Sequence, residues 1–425
     1  MDPQSPKRHP RWSQAGFALP VAVLAMVVVG VLVTAGFFMA QQESRIGVAS
    51  KNSAMAFYIA EQGMNEVMAN WSAARYSKVA LWAADTVEGS ITQGAYTVSV
   101  HHLTDFIYFV ESEGVVTEGG RLAGATRKLG LIAKIITAWI DPPAALTTQG
   151  VSTVGGTALV NGYDSIPDGW DDLCDEGALD DKAGIMYGEG GDADESGRGE
   201  IMGDPDTQED PDIADTTFLD YGDLTWTHLI DYASIQLGTP GNTTVLSDIE
   251  PLAAGAECDT GTEYNWGEPY TDDSDVSGGV TLVPECEDYF PLIHISGSAR
   301  MQGTSRGQGI LLVGDVTYND DGSVATMTGD LDLRGAFTFN GIVIVMGQFQ
   351  TQAGASPRIT GGVMAANADL EGCVGSGCIE NLLGASIVQY SSCSIERAIL
   401  NNADLAKARP FQQRSWVDLS NVSYH

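Results

Sequence analysis

Residues 17–40 read FALPVAVLAMVVVGVLVTAGFFMA, 24 residues without a charge. As a helix they reach roughly 36 Å, enough for a bilayer core of about 30 Å. Lys7, Arg8 and Arg11 precede the stretch. Basic residues stay cytoplasmic, so the segment before it is expected inside and the remainder exported. No small-x-small cleavage site follows the apolar core, as it would after an ordinary secretory signal. The core is therefore expected to stay in the mature protein.

Working outward, Gln41 to about Lys78 continues as a predicted helix. Ala56, Ile59, Ala60, Gly63, Met64, Val67 and Met68 recur at three- and four-residue steps and form one apolar face. Pro20 lies in the first turn, where its missing N–H costs little. The next proline is Pro142.

At Gly16-Phe17-Ala18-Leu19-Pro20 the sequence resembles the type IV prepilins and pseudopilins. The resemblance runs from Gly16 to about Trp71. It includes Ala56-Phe57-Tyr58-Ile59-Ala60-Glu61-Gln62-Gly63, which is similar to the AFxxAExG stretch of PilX-like subunits. It implies a 1–16 leader, cut between Gly16 and Phe17 by prepilin peptidase, and N-methylation of Phe17. It implies other pilin or pseudopilin subunits and the inner membrane as partners. One departure matters: major subunits carry Glu at the fifth mature position, and here that position is Val21. Minor subunits of the PilX and GspK type often lack that Glu. A plain signal anchor on an unrelated exported protein is the alternative.

Three β signals follow the helix. Tyr96–Val100 alternates, Phe106–Val110 is rich in β formers, and Ala125–Ile136 ends in an apolar run. A small antiparallel meander over 79–140, packed on the soluble half of a 17–78 helix, gives a pilin-like α+β arrangement. Asp141-Pro142-Pro143 marks its end.

From Ala144 short apolar pairs alternate with Gly and small polar residues. Leu331-Asp-Leu-Arg-Gly is echoed by Phe349-Gln-Thr-Gln-Ala and Ala368-Asp-Leu-Glu-Gly, and Ile342-Val-Ile-Val by Val363-Met-Ala-Ala. A repeat of about 20 residues predicts stacked rungs, a right-handed parallel β-helix over 141–420. An irregular antiparallel sandwich is the alternative. Residues 163–292 read as an acidic insertion, within which Asp223–Leu237 predicts a short helix. The stretch Arg409–Trp416 is basic and aromatic and reads as a cap on the open end of the rungs, with a docking peptide for a neighbouring subunit as the alternative.

The chain holds 56 acidic and 21 basic residues, a net charge of −35. Such a surface repels nucleic acid. Cys174, Cys258, Cys286, Cys373, Cys378 and Cys393 all follow the membrane segment. An even number in an exported region predicts disulfides, with free buried thiols or a metal site as the alternatives. Asp192, Asp194, Ser196 and Glu200 place oxygens at alternate positions, with Gly197 sixth, as in a calcium loop. The twelfth position is Gly203 where an EF-hand needs Glu, and a solvated acidic loop is the other reading. Asp272-Asp273-Ser-Asp275 is a second calcium candidate. Beyond calcium no cofactor is expected.

Little points to an enzyme. No His lies in HExxH, and His101-His102 point to opposite faces of a strand. Gly303-Thr-Ser305-Arg-Gly307 matches G-x-S-x-G but lacks the following helix that a nucleophile elbow needs. The resemblance to prepilins implies a minor pilin or pseudopilin-like structural subunit of a type IV pilus or type II secretion-like filament, at or near the tip. It would be a single-pass inner-membrane protein with a periplasmic or extracellular C-terminal domain, carried to the cell surface on assembly. The alternative is a membrane-anchored adhesin displaying the β-helix.

Overall fold

Ala18 to Ala69 form one helix of 52 residues, α1, unbroken across Gly30, Gly36 and Gly47. A computed structural model of the chain describes residues 18–104, 107–117, 124–136, 140–174, 180–271, 281–367, 379–402, 405, 407–410 and 416–420. Every residue from Leu19 to Lys51 is exposed, and from Asn52 onward one face is buried. The stretch to Ala40 is apolar all round, the polar run from Gln41 to Lys51 is exposed as well, and beyond it one apolar stripe is buried.

The helix stops short of the expected Lys78. Asn70 turns its side-chain amide onto Glu66 O, 3.1 Å away, and Trp71 leaves the helix to pack against Tyr76 and Tyr108. Ser72 then caps a separate turn, α2 (Ala73–Tyr76), by accepting from Arg75 N. A side chain that bonds the backbone competes with helix continuation, and burial of the indole favours the bend.

Four antiparallel strands follow: β1 (Ala84–Ile91), β2 (Gly94–Thr104), β3 (Ile107–Val116) and β4 (Thr126–Ile136). They pair in chain order. Period-two alternation puts Tyr96, Val98, Val100, Tyr108, Val110, Leu129, Leu131, Ala133 and Ile135 in one core with Ala56, Ile59, Ala60, Met64 and Val67 of α1. β1 was not legible: ADTVEGSI is half exposed at the sheet edge and has no strong alternation.

The helix with its sheet forms a first unit and the chain from Ala144 to Leu400 a second, and the basic-aromatic tail does not cap that second unit. Lys407–Pro410 and Trp416–Asp418 both pair antiparallel with β4, extending the first sheet. Unpaired backbone groups along β4 give the tail a template, and Trp416 meets Phe57 of α1 with ring centroids 5.8 Å apart.

The rest of the chain is mostly β, with a large curled parallel sheet. Leu292–Gln302 pairs in parallel with both Thr304–Val313 and Leu331–Leu333 through different halves. Thr304–Val313 pairs with Ala336–Val345, and Ala336–Val345 with Arg358–Ala365. At the bends Gly309, Gly341 and Gly361 stand side by side with φ of +109°, +136° and +144°. A Cβ on Gly341 would lie 2.0 Å from Gly309 O. Only glycine allows both that dihedral and that approach.

Leu331, Asp332 and Leu333 face Phe349, Gln350 and Thr351, the first sequence echo in its expected register. The second echo shifts by one: Val343 pairs with Val363, so Ile342 faces Gly362. The echo at Ala368 lies outside the described residues.

The stack also brings the two ends of this stretch of chain side by side, in an order the sequence did not suggest. Ala144–Thr148 pairs with Arg358–Ala365, and Leu159–Asn161 pairs with Ile387–Tyr390. The first strands of this unit therefore stack directly on the last. The stretch read as an acidic insertion supplies strands to the same sheet: Ala183–Tyr187, Glu200–Met202 and Thr207–Glu209 on one side, Ile235–Ser247 on the other. The short helix within it spans Trp226–Tyr232, with Trp226 and Leu229 buried.

Candidate assembly helix and its joint with the sheet

The membrane-length half of α1 has no neighbour among the described residues. Leu19, Val21, Leu24, Met26, Val28, Leu32, Phe37 and Phe38 are each at least half exposed. The helix is long and apolar enough to cross a membrane. Gly16 and Phe17, the predicted processing pair, lie outside the described residues. Val21 is within the helix and exposed.

The second half of α1 is fixed to the sheet by close contact as well as by apolar burial. A Cβ on Gly114 of β3 would lie 2.3 Å from Ala56 O and 2.4 Å from Ala60 N. Ala56 and Ala60 keep the helix surface low enough for that approach, and Gly63 does the same beneath Tyr96. Ser112 Oγ donates to Ala60 O at 2.7 Å, and Arg127 Nε donates to Ser53 Oγ at 2.8 Å. Tyr96 OH donates to Glu66, which holds the Tyr96 phenol up at about 12, with burial adding to the effect. Arg127 also reaches Asp418, at 3.4 Å, tying the tail strand to the same joint. Periodicity located the helical face; Gly114 and Ser112 carry no periodic signal that would have singled them out.

The predicted cysteine chemistry takes the form of two bridges. Cys174 is joined to Cys393 and Cys258 to Cys286, with Cα atoms 5.9 Å and 4.8 Å apart. Cys373 and Cys378 lie outside the described residues. The Cys258–Cys286 bridge organises the loop between Ile235–Ser247 and Leu292–Gln302. That loop docks on the sheet through a buried pair: Arg306 Nε donates to Glu268 Oε1 at 3.1 Å, and Arg306 Nη2 donates to Glu268 Oε2 at 3.1 Å. Trp266 closes over Gly307 beside it.

The candidate calcium residues do not converge. Asp192–Glu195 is a strand pairing in parallel with Val151–Val154, so Asp192 and Asp194 project side by side into solvent. Asp192 accepts from Ala193 N at 2.9 Å. Glu200 begins a different strand, Glu200–Met202. Among the described residues no group of three or more His, Cys, Asp or Glu is placed to hold a metal ion. Asp272, Asp273 and Asp275 lie outside them.

Other sequence candidates have structural tasks. His102 Nδ1 is 2.6 Å from Val79 O, and its ring stacks on Tyr108. His294 is buried with Nε2 2.9 Å from Gly314 O, and burial pushes its pKa down. Ser305 Oγ accepts from Ile249 N, at the start of a strand and not at an elbow.

No protein-family model matches the sequence, and no curated protein matches it. Among solved structures the chain is similar to the competence-associated pilin ComZ from Thermus thermophilus. The identity is 12%, over 87% of this chain and 96% of that one, with a TM-score of 0.24. A TM-score of that size does not establish a shared fold.

Proposed function

We propose that the chain is a pilin-like structural subunit of a filament, which it joins through α1. One observation carries the reading: an uncharged helical half without neighbours continues, unbroken, into a half fused to an antiparallel sheet. Such an apolar surface needs lipid before assembly and other apolar helices after it. The rigid joint would transmit the position of the helix to the rest of the molecule.

In this reading Gly16–Phe17 is the processing bond, Phe17 is N-methylated, and the subunit waits in the inner membrane with its bulk on the outer side. The curled parallel sheet is a right-handed parallel β-helix. A domain of that size on every subunit would disturb regular helical packing, so a minor subunit at or near the tip fits best. Val21 in place of the family carboxylate supports the same position. The role is structural, not enzymatic.

Intact-mass measurement of the membrane-extracted protein tests the reading: the 16-residue leader should be missing. Cysteine crosslinking along α1 should capture other pilin subunits. A functional protein that keeps its leader would overturn the proposal. Capture of no pilin by an anchored protein would favour a surface-binding module instead.

A further inference from the structure

A cleft of about 580 Å³ lies where the two units meet. Trp71, Arg75 and Lys78 line it from the first unit, and Asp288, Arg397 and Asn401 from the second. The chain carries a net charge of −35, yet three cations converge here. Their neutralisation is incomplete. Arg75 is paired with Asp85 through Nε at 2.5 Å. Arg397 Nη2 meets the almost fully exposed Asp288 at 3.3 Å, and Glu287 acts on the guanidinium from farther off. Lys78 pairs with none of the carboxylates among the described residues.

The site is also preorganised. The Arg397 guanidinium is held 5.0 Å from the Trp170 ring centre and 5.4 Å from that of Phe290. Stacking of this kind fixes a guanidinium while leaving its edge free for oxygen. Arg397 Nε and Trp71 Nε1 are buried N–H donors without an acceptor among the described residues. Buried donors are nearly always satisfied, and both orphans belong to residues that line this cleft.

We propose that this cleft binds a multivalent oxyanion, gripped by Lys78 and Arg75 on one unit and Arg397 on the other. The volume exceeds what a single small ion fills and falls within the range of organic ligand pockets, about 300–1,000 Å³. A polycarboxylate and a phosphate-bearing molecule share the chemistry required. Because the cations come from both units, the ligand bridges them. The cleft opens beside Trp71, some 31 residues of chain beyond Ala40. Along a helix that is roughly 45 Å from the apolar stretch, which separates it from lipid headgroups.

The test is calorimetric titration of the full chain in detergent with citrate and, separately, pyrophosphate, against sodium chloride at matched ionic strength. Saturable binding of either is expected, and whichever binds tighter identifies the source as carboxylate or phosphate. Lys78→Glu should weaken it by about tenfold or more, the usual loss of a charge-assisted contact. Arg397→Gln should do the same. If loss of its stacking unfolds that variant, the exposed Lys78 still decides. Lys51→Glu, on α1 away from the cleft, should bind as the parent does. Heats no different from those of sodium chloride, or equal weakening by Lys78→Glu and Lys51→Glu, would overturn the site.

Discussion

Cys174 and Cys393 stand 219 positions apart and are bonded across the place where the first strands of the parallel sheet stack on the last. The bridge locks a closure that the backbone has already made. In the chain-entropy description, closing a loop of that length stabilises by about 5 kcal/mol, against about 3–4 kcal/mol for the loop of 28 between Cys258 and Cys286. The double variant Cys174→Ala/Cys393→Ala should therefore lose more stability than Cys258→Ala/Cys286→Ala. Guanidinium unfolding followed by tryptophan fluorescence measures both. The reverse order would show that local packing around the smaller loop outweighs chain closure.

That closure also marks where the sequence stopped being informative. The α1 stripe of Ala56, Ile59, Ala60, Met64 and Val67 was legible because one helix face repeats every three or four residues. The pairing of Leu331 with Phe349 was legible because both sit in the same texture a short step apart. The pairing of Val363 with Leu146 was not, since nothing local in either strand names a partner on the far side of the chain. The same holds for Trp416 beside Leu131, where a long-range pairing overrode a reading based on composition. At the joint, Gly114 is visible as a glycine, but only the fold shows that a helix backbone lies on it.

Gly114 makes the joint testable. Gly114→Ala puts a methyl group against helix backbone, which cannot rotate away as a side chain could. Overpacking of this kind costs about 1–3 kcal/mol. We expect a lower melting temperature for the first unit and faster protease cleavage near residues 77–83, where the chain leaves α2. Gly47→Ala is the control. Nothing lies within 4 Å of that position, and it is helical. There, alanine should be neutral or stabilising, by up to about 1 kcal/mol. Equal effects of the two would mean that α1 does not bear on β3 as described.

Tyr96 predicts the alkaline limit of the same joint. Its hydrogen bond to Glu66, together with burial, raises the phenol to about 12, above the usual value near 10 in an unfolded chain. The folded state thus holds the proton more tightly than the unfolded state does. The resulting stabilisation is complete below pH 10 and is lost as the pH rises toward 12. Tyr96→Phe should flatten this part of the stability profile, measured by denaturant midpoint at successive pH values. A wild-type profile with no fall between pH 10 and 12 would show that the phenol is not held by Glu66.

Val21 tests the place in the filament. Val21→Glu sets an acid one turn into the apolar half of α1. A charged acid near a membrane helix centre costs about 2.5–3.5 kcal/mol, and less toward the interface where Val21 lies. In a repeated subunit, the terminal amine of a neighbour can offset that cost, because a buried charge is tolerated once paired. A subunit at the tip has its own Phe17 amine nearby and no subunit above it to recruit. If the proposed position is right, the variant should leave filament number unchanged or lower it, counted as filaments per cell by electron microscopy. Immunogold label on the variant should stay at one end. More filaments, with label along the shaft, would show an ordinary shaft subunit and remove the tip from the proposal while leaving the helix-mediated assembly intact.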